Sequence, residues 1–149
     1  MGKKKIAVIA VLSGLAALIT LAGLIVWQHT TALELFPEEI WAERHELLFH
    51  RSFGSDAVVM EASGEELQTA FSGAELWRVP DPGWGFPGYP SFFLYIPSEQ
   101  GEYWIFVGEN GYILSGQRDA LRQERFAWYR DDGSLFRTLD EMPRPSAGE

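Results

Sequence analysis

The sequence predicts an α+β protein in which an N-terminal transmembrane helix precedes an antiparallel meander sheet with two main helices packed on one face. Three observations carry this. Residues 6–27 contain no charged side chain, a run of membrane-crossing length. Between residues 91 and 129, short aromatic and β-branched runs alternate with turn residues, Asn110-Gly111 among them. Two amphipathic stretches follow helix-start signals, the capping box Ser63-Gly64-Glu65-Glu66 and the turn Asp131-Asp132-Gly133.

The elements follow in order. As a helix rising about 1.5 Å per residue, residues 6–27 span roughly 33 Å, the thickness of a bilayer's hydrocarbon core. Trp27 suits the interfacial aromatic position, and Lys3, Lys4 and Lys5 assign residues 1–5 to the cytoplasmic side, so that the remainder is translocated. A cleaved signal peptide is the competing reading. Its apolar stretch is usually shorter, and Thr30-Thr31-Ala32 is the best cleavage sequence on offer. Ala10 and Gly14 have small-xxx-small spacing, whereas Gly14 and Gly23 do not make the two-glycine form.

Residues 28–36 read as a tether, and residues 37–142 as one acidic extracytoplasmic domain. Pro37, Glu38 and Glu39 favour a brief helical turn. From Glu46 the pattern alternates, with Leu47, Phe49 and Phe53 on one side, and residues 57–62 read as a second strand after Gly54. The capping box opens a helix to about Phe71, facing inward with Leu67, Ala70 and Phe71 and ending at Gly73. Residues 75–79 form a strand. Residues 80–90 hold too much Pro and Gly for regular structure. Strands at 91–96, 103–107 and 112–114 follow in hairpin order. Residues 119–123 suggest a turn of helix, residues 125–129 a strand, and residues 134–142 a helix with Leu135, Phe136 and Leu139 inward. The tail, 143–149, is expected to be mobile.

Composition bounds the chemistry. The chain has 149 residues and no Cys, which excludes disulfides, thiolate metal sites and thiol nucleophiles. Its three lysines precede the apolar run, and all 21 acidic residues follow it with nine arginines. So acidic a domain repels phosphate backbones and anionic headgroups, which argues against nucleic-acid binding and fits solubility beside a negative surface or a basic partner.

No motif reaches the standard of an active site. Gly83-Trp84-Gly85-Phe86-Pro87-Gly88 matches G-x-G-x-x-G by letter, but that chemistry needs a strand before it and a helix after it, and Pro87 and Pro90 remove amides and disfavour a following helix, with no βαβ unit around them. His45 and His50 are spaced i, i+5, so they cannot share a metal as i, i+4 histidines on a helix do. No serine sits in a nucleophile elbow, and Asp131-Asp132-Gly133 lacks the alternating ligands of a calcium loop. Neither a cofactor nor a metal site is called for. A facing carboxylate pair for glycosidase-type hydrolysis is the catalytic alternative.

The aromatic loop is the binding candidate. Trp84, Phe86 and Tyr89 on a Pro/Gly-rich loop would anchor a protein partner or stack on a sugar if exposed together. The plainer expectation is that they fold back to cap the sheet. Tyr103, Trp104 and Phe106 carry the same ambiguity, and strand alternation buries about half of such rings.

Phe92-Phe93-Leu94-Tyr95-Ile96, a turn, Tyr103-Trp104-Ile105-Phe106-Val107, a glycine turn, Tyr112-Ile113-Leu114 and the closing helix from Leu135 together resemble small membrane-anchored ectodomains of uncharacterised Gram-positive bacterial proteins. Similar stretches accompany membrane peptidase-type sensors. The resemblance covers about a third of the chain, rests on hydrophobic spacing, and implies a regulatory or binding role with no residue to transfer. The expectation is therefore a single-pass, cell-membrane-anchored, non-catalytic module. Its partner is a protein, or alternatively a cell-wall glycan.

Overall fold

The computed structural model describes residues 3–143, the side chains at 3–7, 26 and 27 apart. The expected mobility of the tail and the interfacial placement of Trp27 lie outside what is described. Helix α1 (Lys3–Gln28) is followed by β1 (His29–Thr31), two 3-10 turns (Ala32–Leu35 and Glu38–Ala42), β2 (Arg44–His50), β3 (Val58–Ser63), α2 (Gly64–Ser72) and β4 (Glu75–Val79). Then come β5 (Ser91–Ser98), β6 (Gly101–Gly108), β7 (Tyr112–Asp119), β8 (Glu124–Arg130) and α3 (Ser134–Asp140). Over Val8–Ile25, α1 is long and apolar enough to cross a membrane, and its side chains there are exposed.

The strands form one eight-stranded antiparallel sheet in the order β1-β4-β8-β7-β6-β5-β2-β3. The meander β5 to β8 is its centre, as the alternation and the Asn110-Gly111 turn predict. One face is the core. Phe49, Phe92, Val107, Ile113 and Tyr129 pair in sequence across five strands, and Leu47, Leu94 and Ile105 make a parallel row. Helix α3 lies on this face, with Phe136 5.1 Å from Phe92. Helix α2 sits beside it, its Phe71 ring 5.8 Å from both Phe36 and Trp41. Phe71, Leu67, Leu135 and Leu139 are fully buried, each contributing on the order of 1.5–3 kcal/mol by leaving water.

The helix starts follow their chemistry. The Ser63 hydroxyl accepts from the Glu66 amide at 3.3 Å, and the Glu66 carboxylate accepts from the Ser63 amide at 2.8 Å, so two otherwise unpaired donors are satisfied. At α3 the Asp131 carboxylate accepts from the amides of Gly133 and Leu135 at 2.8 and 2.9 Å. Gly133 has φ 82° there, in the left-handed region that favours glycine.

Three local expectations are corrected. Residues 28–36 are not a free tether: His29–Thr31 pairs with β4, and Ala32 is fully buried. Residues 119–123 are a hairpin turn rather than a helical one, closed by the Asp119 carboxylate accepting from the amides of Leu121 and Gln123. Phe53 does not join Leu47 and Phe49, because β2 ends at His50 and leaves Phe53 89% exposed.

Candidate functional site: an uncovered aromatic face

Alternation sends every second residue of a strand to the opposite face. In a sheet with helices on one side, that other face is usually polar. Here it is not. One cross-strand row on it runs Phe93, Phe106, Leu114, Trp128 and Val79, and the next runs Tyr95, Trp104, Gly116 and Phe126. Phe93 stacks on Phe106 with ring centres 4.3 Å apart and planes 23° from parallel. Trp104 meets Phe126 edge-on at 5.7 Å. Leu114 and Trp128 are buried, while Tyr95 and Phe126 stand 42% and 54% exposed.

The loop 80–90 connects β4 to β5, which lie on opposite sides of β6, β7 and β8 in the sheet. It brings its rings onto the same face. Trp84 packs edge-on to Tyr112 at 4.9 Å, Phe86 edge-on to Phe106 at 5.3 Å, and Tyr89 lies 4.7 Å from Phe86. The Asn110 amide donates to the Pro87 carbonyl at 2.8 Å, and the Glu109 amide donates to the Pro90 carbonyl at 3.1 Å. Gly83, Gly85 and Gly88 all have positive φ and β5 follows directly, so the glycines shape a loop and not a phosphate cradle. Trp84 and Tyr89 are exposed at 57% and 40%, and Phe86 is half-buried between them and the sheet. The three rings thus cap the sheet, but on the face away from the core, and two of them still meet solvent.

At one end of this face Arg118 donates to the Glu102 carboxylate at 2.8 Å and also pairs with Glu124, while its guanidinium carbon lies 6.0 Å from the centre of the Trp104 ring. The hydrogen bond to Glu124, followed by the charge of that carboxylate, holds the Arg118 proton more firmly than usual. The Tyr95 hydroxyl donates to Glu102 at 2.8 Å, and this bond pushes the phenol above its ordinary value. Rings are therefore flanked by side chains able to donate and accept hydrogen bonds.

Other chemistry is thinly supported. His45 and His50 fall on opposite faces of β2; the His45 Nε2 lies 2.6 Å from the Ile40 carbonyl, and His50 lies beside Tyr89. Among the described residues no three His, Asp or Glu side chains gather as a metal site. Ser91 pairs in register with His50, but its hydroxyl is buried without a hydrogen-bond partner, so the two make no nucleophile–base pair. Glu34, Glu66 and Asp132 are all held below the usual carboxylate value by hydrogen bonds, from Thr30, Ser63 and Ser134 respectively. A general acid needs the opposite direction.

Sequence reasoning named Trp84, Phe86 and Tyr89 and left Trp104 and Phe106 unassigned; the structure puts all five on one face, with Tyr103 packed against the core. It missed Tyr95 and Phe126. The available signal was that residues 91–96 and 103–107 carry bulky apolar side chains at both parities, which one buried face does not require. No protein-family model, curated protein or solved structure matches the chain.

Proposed function

We propose that this protein is a single-pass, membrane-anchored, non-catalytic interaction module, with α1 as the anchor, the N-terminus cytoplasmic, and the sheet domain outside the cell membrane. The domain binds a protein partner through its uncovered aromatic face. One observation carries the proposal: helices cover one side of the sheet, while the other side presents rings from four strands and from the loop 80–90. A contiguous apolar patch on a soluble domain is costly unless something covers it, and aromatic residues dominate protein contact surfaces. The resemblance to anchored bacterial ectodomains points the same way.

The test uses full-length protein in its native membrane, with a photo-crosslinking residue at Trp84 or at Glu65 on the outside of α2. One stoichiometric protein captured from position 84 and not from 65 is the expected outcome. Equal capture from both positions, or none from 84, would sink the proposal.

The hydrogen-bonding set Glu102, Arg118 and Glu124 beside Trp104 favours a second reading, a cell-wall glycan stacked on the rings. Retention on isolated cell wall, lost in Trp84→Ala, would replace the protein partner with a glycan.

A further inference from the structure

We infer that the β1–β4 edge of the sheet sits in the headgroup layer of the bilayer, with Trp77 as its interfacial anchor. This rests on the reading of α1 as a membrane span. A tether of nine residues would hold the domain up to about 30 Å from the lipid. The structure removes that distance. Helix α1 ends at Gln28, His29 is already the first residue of β1, and α1 packs against both β1 and β4. From Ile25, the last residue of the apolar window, to His29 is a rise of about 6 Å. A hydrocarbon core of about 30 Å within a bilayer of about 40–45 Å leaves each headgroup layer roughly 5–8 Å deep. His29 falls within it.

Strand pairing brings Trp77 to the same depth. His29 is the register partner of Trp77, and their rings lie 4.7 Å apart. Trp77 is 46% exposed, an unusual state for so large a ring unless something else covers it. The rest of the β1–β4 pairing fixes what else lies along this edge. Thr31 pairs with Glu75 and Thr30 with Leu76, so residues 75–77 of β4 lie along the edge that β1 forms after α1. The Glu75 carboxylate lies 3.8 Å from the His29 Nε2, so a histidine, its acid partner and a ring share this edge. Interfacial layers favour the ring, since Trp prefers the headgroup region.

The absence of cysteine makes the test direct, because any single introduced Cys is unique. Full-length variants Trp77→Cys, Glu75→Cys, Phe53→Cys and Leu18→Cys, all at exposed positions, are reconstituted in phosphatidylcholine vesicles and labelled with a fluorophore. Nitroxide lipids, carrying the quencher at the headgroup or deep in the acyl chain, then report depth. Phe53 follows β2 in the turn to β3, the far edge of the sheet and about 34 Å from β1 across seven strand spacings. The expected result is several-fold stronger headgroup quenching at 75 and 77 than at 53, and deep-chain quenching at 18. Deep quenching at 18 with 75 and 77 both as unquenched as 53 would leave the α1 span standing and overturn the inference. No quenching at 18 would remove the membrane reading and the inference together. Equal quenching at 53 and 77 would lay the whole sheet on the lipid and overturn the edge-on arrangement.

Discussion

The indole of Trp104 lies across the bare α-carbon of Gly116 on the neighbouring strand. A Cβ at Gly116 would collide with Cε2, Nε1 and Cζ2 of the Trp104 ring. The two are register partners, so the missing side chain is what lets the largest ring of the row lie down on the sheet and meet Phe126 beyond it. Glycine weakens a strand interior, and here an aromatic neighbour covers the backbone it would expose. Gly116→Ala is therefore expected to lift Trp104 and cost about 1–3 kcal/mol, as overpacking does. Thermal unfolding of the single variant and of Gly116→Ala combined with Trp104→Ala checks this. The pair should be clearly non-additive, since removing the ring removes the collision. Additive losses would show that the contact does not decide the fit.

How much of this was legible in the sequence depends on whether the cause is local. The Ser63–Glu66 capping box and the Asn110-Gly111 turn are short-range chemistry, and both appear where the sequence puts them. Strand β1 has no local signal: His29–Thr31 is a strand only because Glu75–Val79, more than 40 residues on, lies beside it. Nor does alternation say which face is the core when both parities are apolar. Phe71 and Phe136, packed onto one face from α2 and α3, decide that. The rings of the loop 80–90 were recognisable as candidates, but the face they reach is set by the bond from Asn110 to Pro87, across 23 residues.

Gly64 opens α2 against the backbone of the second 3-10 turn. A Cβ there would overlap the Trp41 carbonyl and stand 2.8 Å from the Glu43 oxygen. Backbone cannot move aside as a side-chain tip can, so Gly64→Ala should cost at least the upper part of the roughly 1–3 kcal/mol range for overpacking. Gly73, at the other end of the same helix, has φ −86° and open space around it. Gly73→Ala should be neutral or stabilising by about 0.4–1 kcal/mol through the unfolded state. Comparing thermal midpoints of the two variants checks the contrast. Equal effects would show that Gly64 is not held by close approach.

Acid should weaken the domain through its capping carboxylates. The amide and hydroxyl of Ser63 hold Glu66 below its ordinary value of 4.5, so its folded pKa lies under its unfolded one. That contribution is complete above the unfolded value and is lost as pH falls through the folded value. Glu34 and Asp132 carry the same sign. Unfolding measured at about pH 7 and about pH 3 should show wild type losing more stability on acidification than Ser63→Ala. The variant lacks the hydroxyl half of the bond and should start lower at neutral pH. A gap between the two proteins that widens in acid would contradict the assignment.

Asn110 joins the loop to the sheet with its two amide atoms doing separate tasks. Nδ2 donates to the Pro87 carbonyl at 2.8 Å, and Oδ1 accepts from the Tyr112 amide at 3.1 Å. Asn110→Asp keeps the second bond and replaces the first with a carboxylate facing a carbonyl. Leaving a part-buried acceptor unpaired costs about 1–3 kcal/mol, and the loop should swing away from Phe106 and Tyr112. If the aromatic face is the contact surface, crosslinking from position 84 should then fall while the fold persists by circular dichroism. Asn110→Ala loses both bonds and should lower the thermal midpoint further. Undiminished crosslinking in Asn110→Asp, with the loop displaced, would mean that the partner reads Trp84 alone and not the face to which the loop is pinned.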